Sequence, residues 1–186
     1  MPLGTIETVA SIALAMIPPG NVAKELCGVR RAFWTELGAA SARAFFDYPV
    51  LSWLARPVDG AALAAAAARS RLPFELVGLE RFGDDVFIRI PEKYAAEARG
   101  LASAFSEAGA DTEYRPGPFQ AGHGSYCATL AGVGERAAPI VELMPVVAIR
   151  AKTYLLAQIE LTWAPDESRS SSWATLSSAR VNAKPS

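Results

Sequence analysis

A chain of 186 residues, 51% of them hydrophobic, is long enough to bury a sizeable apolar core without disulfide staples. Its 18 basic and 19 acidic side chains leave a formal charge of -1, which excludes a global electrostatic pull towards duplex nucleic acid. The single histidine, His123, excludes any mechanism that needs two histidines in one site.

Cys27 and Cys127 are the only cysteines and no charged, apolar leader opens the chain, so both read as reduced thiols in a cytoplasmic protein. The apolar stretches are interrupted too soon to cross a bilayer: Pro18 and Pro19 end the first, and Arg150, Lys152, Gln158 and Glu160 punctuate 146–163. No membrane association is expected.

In chain order, Thr8 to Ile17 reads as a central strand stopped by Pro18-Pro19-Gly20. Asn21 is the expected cap of a helix to about Leu37, with Val22, Leu26, Val29, Phe33 and Leu37 inward and Lys24, Glu25, Arg30, Arg31 and Glu36 outward. Ala42 to Leu54 reads as a second strand, placed at an edge or bulge by Pro49. Asp59 caps an alanine-rich helix ending near Ser70, a compositional bias that carries no chemistry.

Leu72 to Glu80 and Asp84 to Ile90 read as strands of a hairpin turned at Arg81-Phe82-Gly83. Pro91 opens a helix with Tyr94, Ala98, Leu101 and Phe105 on one face, stopping at Gly109. A loop over 111–122, a strand from Ser125 to Val133 and a short helix from Glu135 to Met144 follow. Val146 to Trp163 reads as a long strand or a bent pair, and Ser172 to Val181 as a closing strand. The four tryptophans and Phe45-Phe46 are the expected core fillers.

These elements divide into two similar halves, each a strand-helix-strand unit with antiparallel neighbours. The fold class is α+β, with two pseudo-symmetric lobes, each a mainly antiparallel sheet with helices outside, around a central cleft. Residues 1–164 form one bilobal domain, closed by the strand near 172–181, and 182–186 form a flexible tail. No glycine-rich dinucleotide fingerprint or phosphate loop follows any strand, and no metal or cofactor is expected.

The run Ser11-Ile12-Ala13-Leu14-Ala15-Met16-Ile17-Pro18-Pro19, the stretches 72–82 and 86–90, and the closing pair 154–161 with 172–176 give a layout that resembles the two-histidine (2H) phosphoesterase superfamily. That superfamily includes the RNA 2',3'-cyclic phosphodiesterases, also called 2'-5' RNA ligases. The resemblance implies two His-x-Thr/Ser motifs, one per half, with one histidine as base, the other as acid, and the hydroxyls on the phosphate. Spacing of two suits a strand, where residues i and i+2 share a face.

The first matching stretch is Tyr48-Pro49-Val50-Leu51, which has lost both histidine and hydroxyl. The second fits either Cys127-Ala128-Thr129-Leu130 or His123-Gly124-Ser125-Tyr126, and a strand reaching back to His123 would put His123, Ser125, Cys127 and Thr129 on one face. His123 is the candidate catalytic residue. Thr129, Ser125, Tyr48, Cys127, Arg150 and Lys152 are candidate ligand-binding residues, the last two sharing a strand face suited to an anion. Tyr48 could serve as a weak acid or a base-stacking platform.

Each candidate also has a plain reading: His123 as a loop residue, Cys127 as a buried thiol, Ser125 and Thr129 as ordinary strand residues, Arg150 and Lys152 as a solvated stripe. Three functions follow. The first is a diverged protein without two-histidine catalysis that binds a nucleotide, RNA end or phosphorylated small molecule in the cleft. The second is a phosphodiesterase using His123 with a non-histidine partner such as Tyr48 or Cys127. The third is a protein-interaction domain whose cleft is closed by Tyr48, Trp53 and other bulky groups.

Overall fold

The computed structural model describes residues 9–39, 41–44, 48–105, 124–131, 148–163 and 171–182. The first strand, β1 (Val9–Ile17), is central as its composition demands: Ala13, Leu14 and Ala15 are fully buried. Its Ile12, Leu14 and Met16 belong to the main core, while Ala13 and Ala15 face a second cluster. Helix α1 (Gly20–Leu37) starts from Pro19, whose carbonyl accepts from Ala23, so Asn21 lies within the first turn rather than at the cap. It ends at Gly38, whose φ of 66 lets Gly38 and Ala39 donate back to Trp34 and Phe33.

The span expected as one strand over 42–54 contains a helical turn, α2 (Ser41–Ala44), and a shorter strand, β2 (Val50–Leu54). Pro49 has no N–H to give a ladder, and its carbonyl instead accepts from Met16, which starts β2 beyond it at the sheet edge. Helix α3 (Gly60–Arg69) follows as expected, with the Asp59 carboxylate accepting from Ala62 at 3.3 Å.

Gly78, at φ 68, breaks the expected strand 72–80 into β3 (Phe74–Val77) and β4 (Leu79–Phe82). Phe82 pairs with Asp85, so the hairpin from β4 to β5 (Asp85–Arg89) turns at Gly83-Asp84 and not at 81–83. Pro91 then starts a 3-10 turn, Glu92–Tyr94, which runs into α4 (Ala95–Ser103). The helix ends there because Phe105 closes back on Ala102; Gly109 lies outside the described residues.

Strand β6 (Gly124–Thr129) is shorter than expected. The span 146–163 is a bent pair, β7 (Ala148–Ala151) and β8 (Thr153–Trp163), broken at Lys152, and β9 (Ser171–Asn182) closes the fold. The expected loop 111–122 and helix 135–144 lie outside the described residues, as does all of the expected tail 182–186 except Asn182, which is the last residue of β9.

The strands form three antiparallel groups: β2-β1-β8-β9, β4-β5-β6 and the ribbon β3-β7. The two strand-helix-strand halves are β1-α1-β2 and β5-α4-β6, each with a proline at the helix start and an antiparallel bulged pair of outer strands. Helix α1 packs against β6, and α4 against β2, so each helix braces the other half. The fold is α+β with mainly antiparallel sheets and no closed barrel. Among the described residues, no helix is long and apolar enough to cross a membrane.

Candidate functional site at the face between the two sheets

The cleft wall can be derived from strand alternation. On the four-stranded sheet, one face carries Ala13, Ala15, Val50, Trp53, Ala157, Ile159 and Leu161; on the three-stranded sheet, Phe87 and Tyr126 join the same cluster. Ile17 and Tyr48 pack at its border. Where a phosphodiester cleft would need open polar space, Trp53, Phe87 and Tyr126 are buried and in contact, with Phe87 and Tyr126 edge-on at 5.7 Å.

Two bulges decide which residues reach that wall. Ala15 pairs with Val50 and Leu14 with Ser52, leaving Leu51 as the extra residue; Phe87 pairs with Tyr126 and Val86 with Ala128, leaving Cys127 extra. Matching the halves bulge for bulge sets Gly124-Ser125-Tyr126-Cys127 against Tyr48-Pro49-Val50-Leu51. Neither register read from the sequence coincides with this one. In this matching Val50 is level with Tyr126, and Tyr48 with Gly124. No side chain fits at Gly124, where φ is 139 and a Cβ would run into the Ile88 carbonyl oxygen.

The same bulge corrects the expectation that Ser125, Cys127 and Thr129 share a face. Tyr126 and Thr129 stand opposite Phe87 and Asp85 on the cleft side, whereas Ser125 stands opposite Ile88 on the core side and Cys127 belongs to the main core. An extra residue in a strand inverts the parity of everything beyond it. His123 lies outside the described residues.

Thr129 is half-buried and already engaged. Its N–H donates to the Ser41 hydroxyl at 2.9 Å, and its own hydroxyl accepts from the Ala131 N–H at 3.4 Å. Burial raises the Asp85 pKa, the neighbouring Thr129 opposes that shift, and Asp84 adds to it. Burial also raises Tyr126 strongly, and raises Tyr48. The Cys127 thiol, fully buried, is pushed up to about 12 by desolvation despite Arg30 nearby. The Tyr126, Tyr48 and Cys127 shifts move a phenol or thiol away from neutral pH, the opposite of what an acid, base or nucleophile needs.

Arg30 was expected on the wet side of α1 and is 2% exposed. Its Nε donates to the Cys127 carbonyl at 3.4 Å, its guanidinium lies 6.0 Å from the Tyr126 ring centre, and burial lowers its pKa. The signal was legible, since Arg30 falls four residues after Leu26 and three before Phe33, inside the apolar stripe.

Arg150 and Lys152 are not two steps of one strand, because Lys152 sits at the break between β7 and β8. Arg150, in the separate ribbon, pairs with Glu75 at 3.0 Å, and Lys93 approaches the same carboxylate at 3.9 Å. Arg89 was not singled out from the sequence; alternation along β5 places it on the cleft face beside Gly124, with its Nε donating to the Val77 carbonyl. Tyr48 is half-buried and meets Trp173 edge-on at 5.7 Å, and Trp173 is 45% exposed. Of the four tryptophans Trp53 is in the core; Trp34 and Trp173 are on the surface, and Phe45, Phe46 and the Trp163 side chain lie outside the described residues. Among the described residues, no group of three or more His, Cys, Asp or Glu side chains could hold a metal ion.

No protein-family model and no curated protein matches the sequence. Solved structures do match in three dimensions. A structure described as a phosphoesterase superposes with a TM-score of 0.56 at 14% identity, covering 94% of this chain and 99% of that one. E. coli LigT in complex with 3'-AMP gives 0.52 at 15% identity over 92% and 96% of the two chains. E. coli LigT in complex with NADP+ gives 0.52 at 14% over 95% and 99%. The chain has the fold of the LigT-type phosphoesterases, the superfamily that its layout resembles.

Proposed function

We propose that this protein is a diverged LigT-type fold that binds a nucleotide by its base at the border of the cleft and does not process a phosphodiester on the cleft floor. The observation that supports this reading is that, with the halves matched bulge for bulge, Val50 and Tyr126 are level and buried in one apolar cluster, and no side chain fits at Gly124. The Asp85 carboxylate stands opposite the nearby Thr129 and repels a phosphate. Aromatic surface is what remains for recognition. Tyr48 and Trp173 meet there, and the exposed Trp173 ring offers a face for stacking. The E. coli LigT structures with 3'-AMP and NADP+ support a nucleotide as the ligand class.

Titration with 3'-AMP and NADP+, followed by tryptophan fluorescence, tests the proposal. Saturable binding weakened roughly tenfold or more by Trp173→Ala, the loss of ~1–3 kcal/mol of base stacking, is the expected result. Turnover of 2',3'-cyclic nucleotides that disappears in His123→Ala would overturn it in favour of catalysis. A second reading, a protein-interaction domain with a filled cleft, is favoured by the burial of Trp53, Phe87 and Tyr126. Absence of any nucleotide binding selects it.

A further inference from the structure

Strand β9 is a twelve-residue edge strand: among the described residues it pairs with β8 and with no other strand. Edge strands in stable monomers are blunted by shortness, lysines, prolines or bulges. β9 has neither lysine nor proline, one charged residue (Arg180), and solvent-exposed Trp173 and Leu176. It does have a bulge. Gln158 pairs with Ser177 and Ile159 with Thr175, leaving Leu176 as the extra residue.

That bulge gives the strand a self-complementary register. Before it, Trp173 and Thr175 stand opposite Leu161 and Ile159; after it, Ser178 and Arg180 stand opposite Ala157 and Leu155. All four therefore lie on the cleft-side face of the sheet, by the alternation of β8. A two-fold axis normal to the sheet, passing between Leu176 and Ser177, sets Trp173 against Arg180 and Thr175 against Ser178 of a second copy, each pair on one face. In an unbulged strand an axis between two residues would pair opposite faces.

We infer that β9 is a homodimer interface, in which two copies join edge to edge in antiparallel register to make one continuous eight-stranded sheet. The second copy is the occupant that the strand itself specifies: the guanidinium of Arg180 meets the indole of Trp173 at both ends of the interface, a cation on an aromatic ring. The neighbouring helix leaves room. α3 packs on β9, and Ala61, Ala62, Ala64, Ala65 and Ala68 are exposed on it, so its solvent side adds little bulk. The inference shares Trp173 with the nucleotide reading, but it rests on the register and bulge of β9, which that reading does not use.

Light-scattering mass of the full chain across the micromolar range should give a dimer. Thr175→Lys, on an exposed position, should shift it to monomer with an unchanged circular dichroism spectrum. In a Cys27→Ser background, Thr175→Cys with Ser178→Cys should form an intermolecular disulfide on mild oxidation, because opposed residues of an antiparallel pair fall within bridging distance. Within one copy the two positions are three residues apart along a strand, too far to bridge. A monomeric mass at every concentration overturns the inference. So does a dimer that neither cross-links nor responds to Thr175→Lys. Loss of nucleotide binding without a change in mass overturns only the ligand reading.

Discussion

Asp85 and Thr129 stand directly opposite each other on the β5–β6 ladder, on the same face as Phe87 and Tyr126. A carboxylate thus occupies the wall where phosphate recognition was expected.

Burial raises the Asp85 pKa, so the folded protein favours its protonated form. The associated stabilisation is complete below the unfolded value of about 4 and is lost as pH rises through the higher folded value. Asp85→Asn should therefore gain in Tm over the parent as pH rises from acid to neutral. Thr129→Val should lose most at neutral pH, because Thr129 favours the ionised form of Asp85. Thermal melts of the three proteins from pH 3 to 7 would show both trends. A flat difference across that range contradicts the assignment.

Gly124 is irreplaceable for a steric reason. Any Cβ there meets the Ile88 carbonyl in a backbone conformation that side chains rarely adopt, so Gly124→Ala should cost ~3 kcal/mol or more, read by urea unfolding. The same clash means that restoring one motif with Tyr48→His and Val50→Thr should leave cyclic phosphodiesterase activity undetectable.

Gln158 is buried and clamps the segment before α3: its Oε1 accepts from the Val58 N–H at 2.6 Å, and its Nε2 donates to the Val58 carbonyl at 2.7 Å and to Ser177 at 2.8 Å. Gln158→Leu should lose ~2–3 kcal/mol, because a backbone donor and acceptor lose their partners together. An effect under ~0.5 kcal/mol in chemical denaturation would mean that water replaces the clamp.

Cys27 is exposed and Cys127 is fully buried with its thiol pushed up to about 12. Iodoacetamide should modify Cys27 alone in the native protein and both cysteines in denaturant, as intact mass would report. Native labelling of Cys127 would put the bulge of β6 on a reachable surface.

Much of the fold was legible locally. The run ending at Pro18-Pro19, the apolar stripe of α1 and the Asp59 cap each express a short-range preference, and each emerged close to where composition put it. The first half of the 42–54 strand failed because Ser41–Ala44 gain more by packing a helical turn beside α1 and β6. Gly78 was passed over because a single left-handed residue leaves no trace in an apolar alternation. Arg30 was misplaced because its charge was weighed above its position in the stripe.

The sequence by itself pointed to the α+β architecture, and its single histidine cannot supply a His-x-Thr/Ser motif in each of two halves. Only the tertiary structure decided which residues of β6 face the cluster between the sheets. Whether Ser125, Cys127 or Thr129 faces the cleft depends on one extra residue in β6, and a bulge is set by cross-strand pairing with β5, not by the residues of β6 alone.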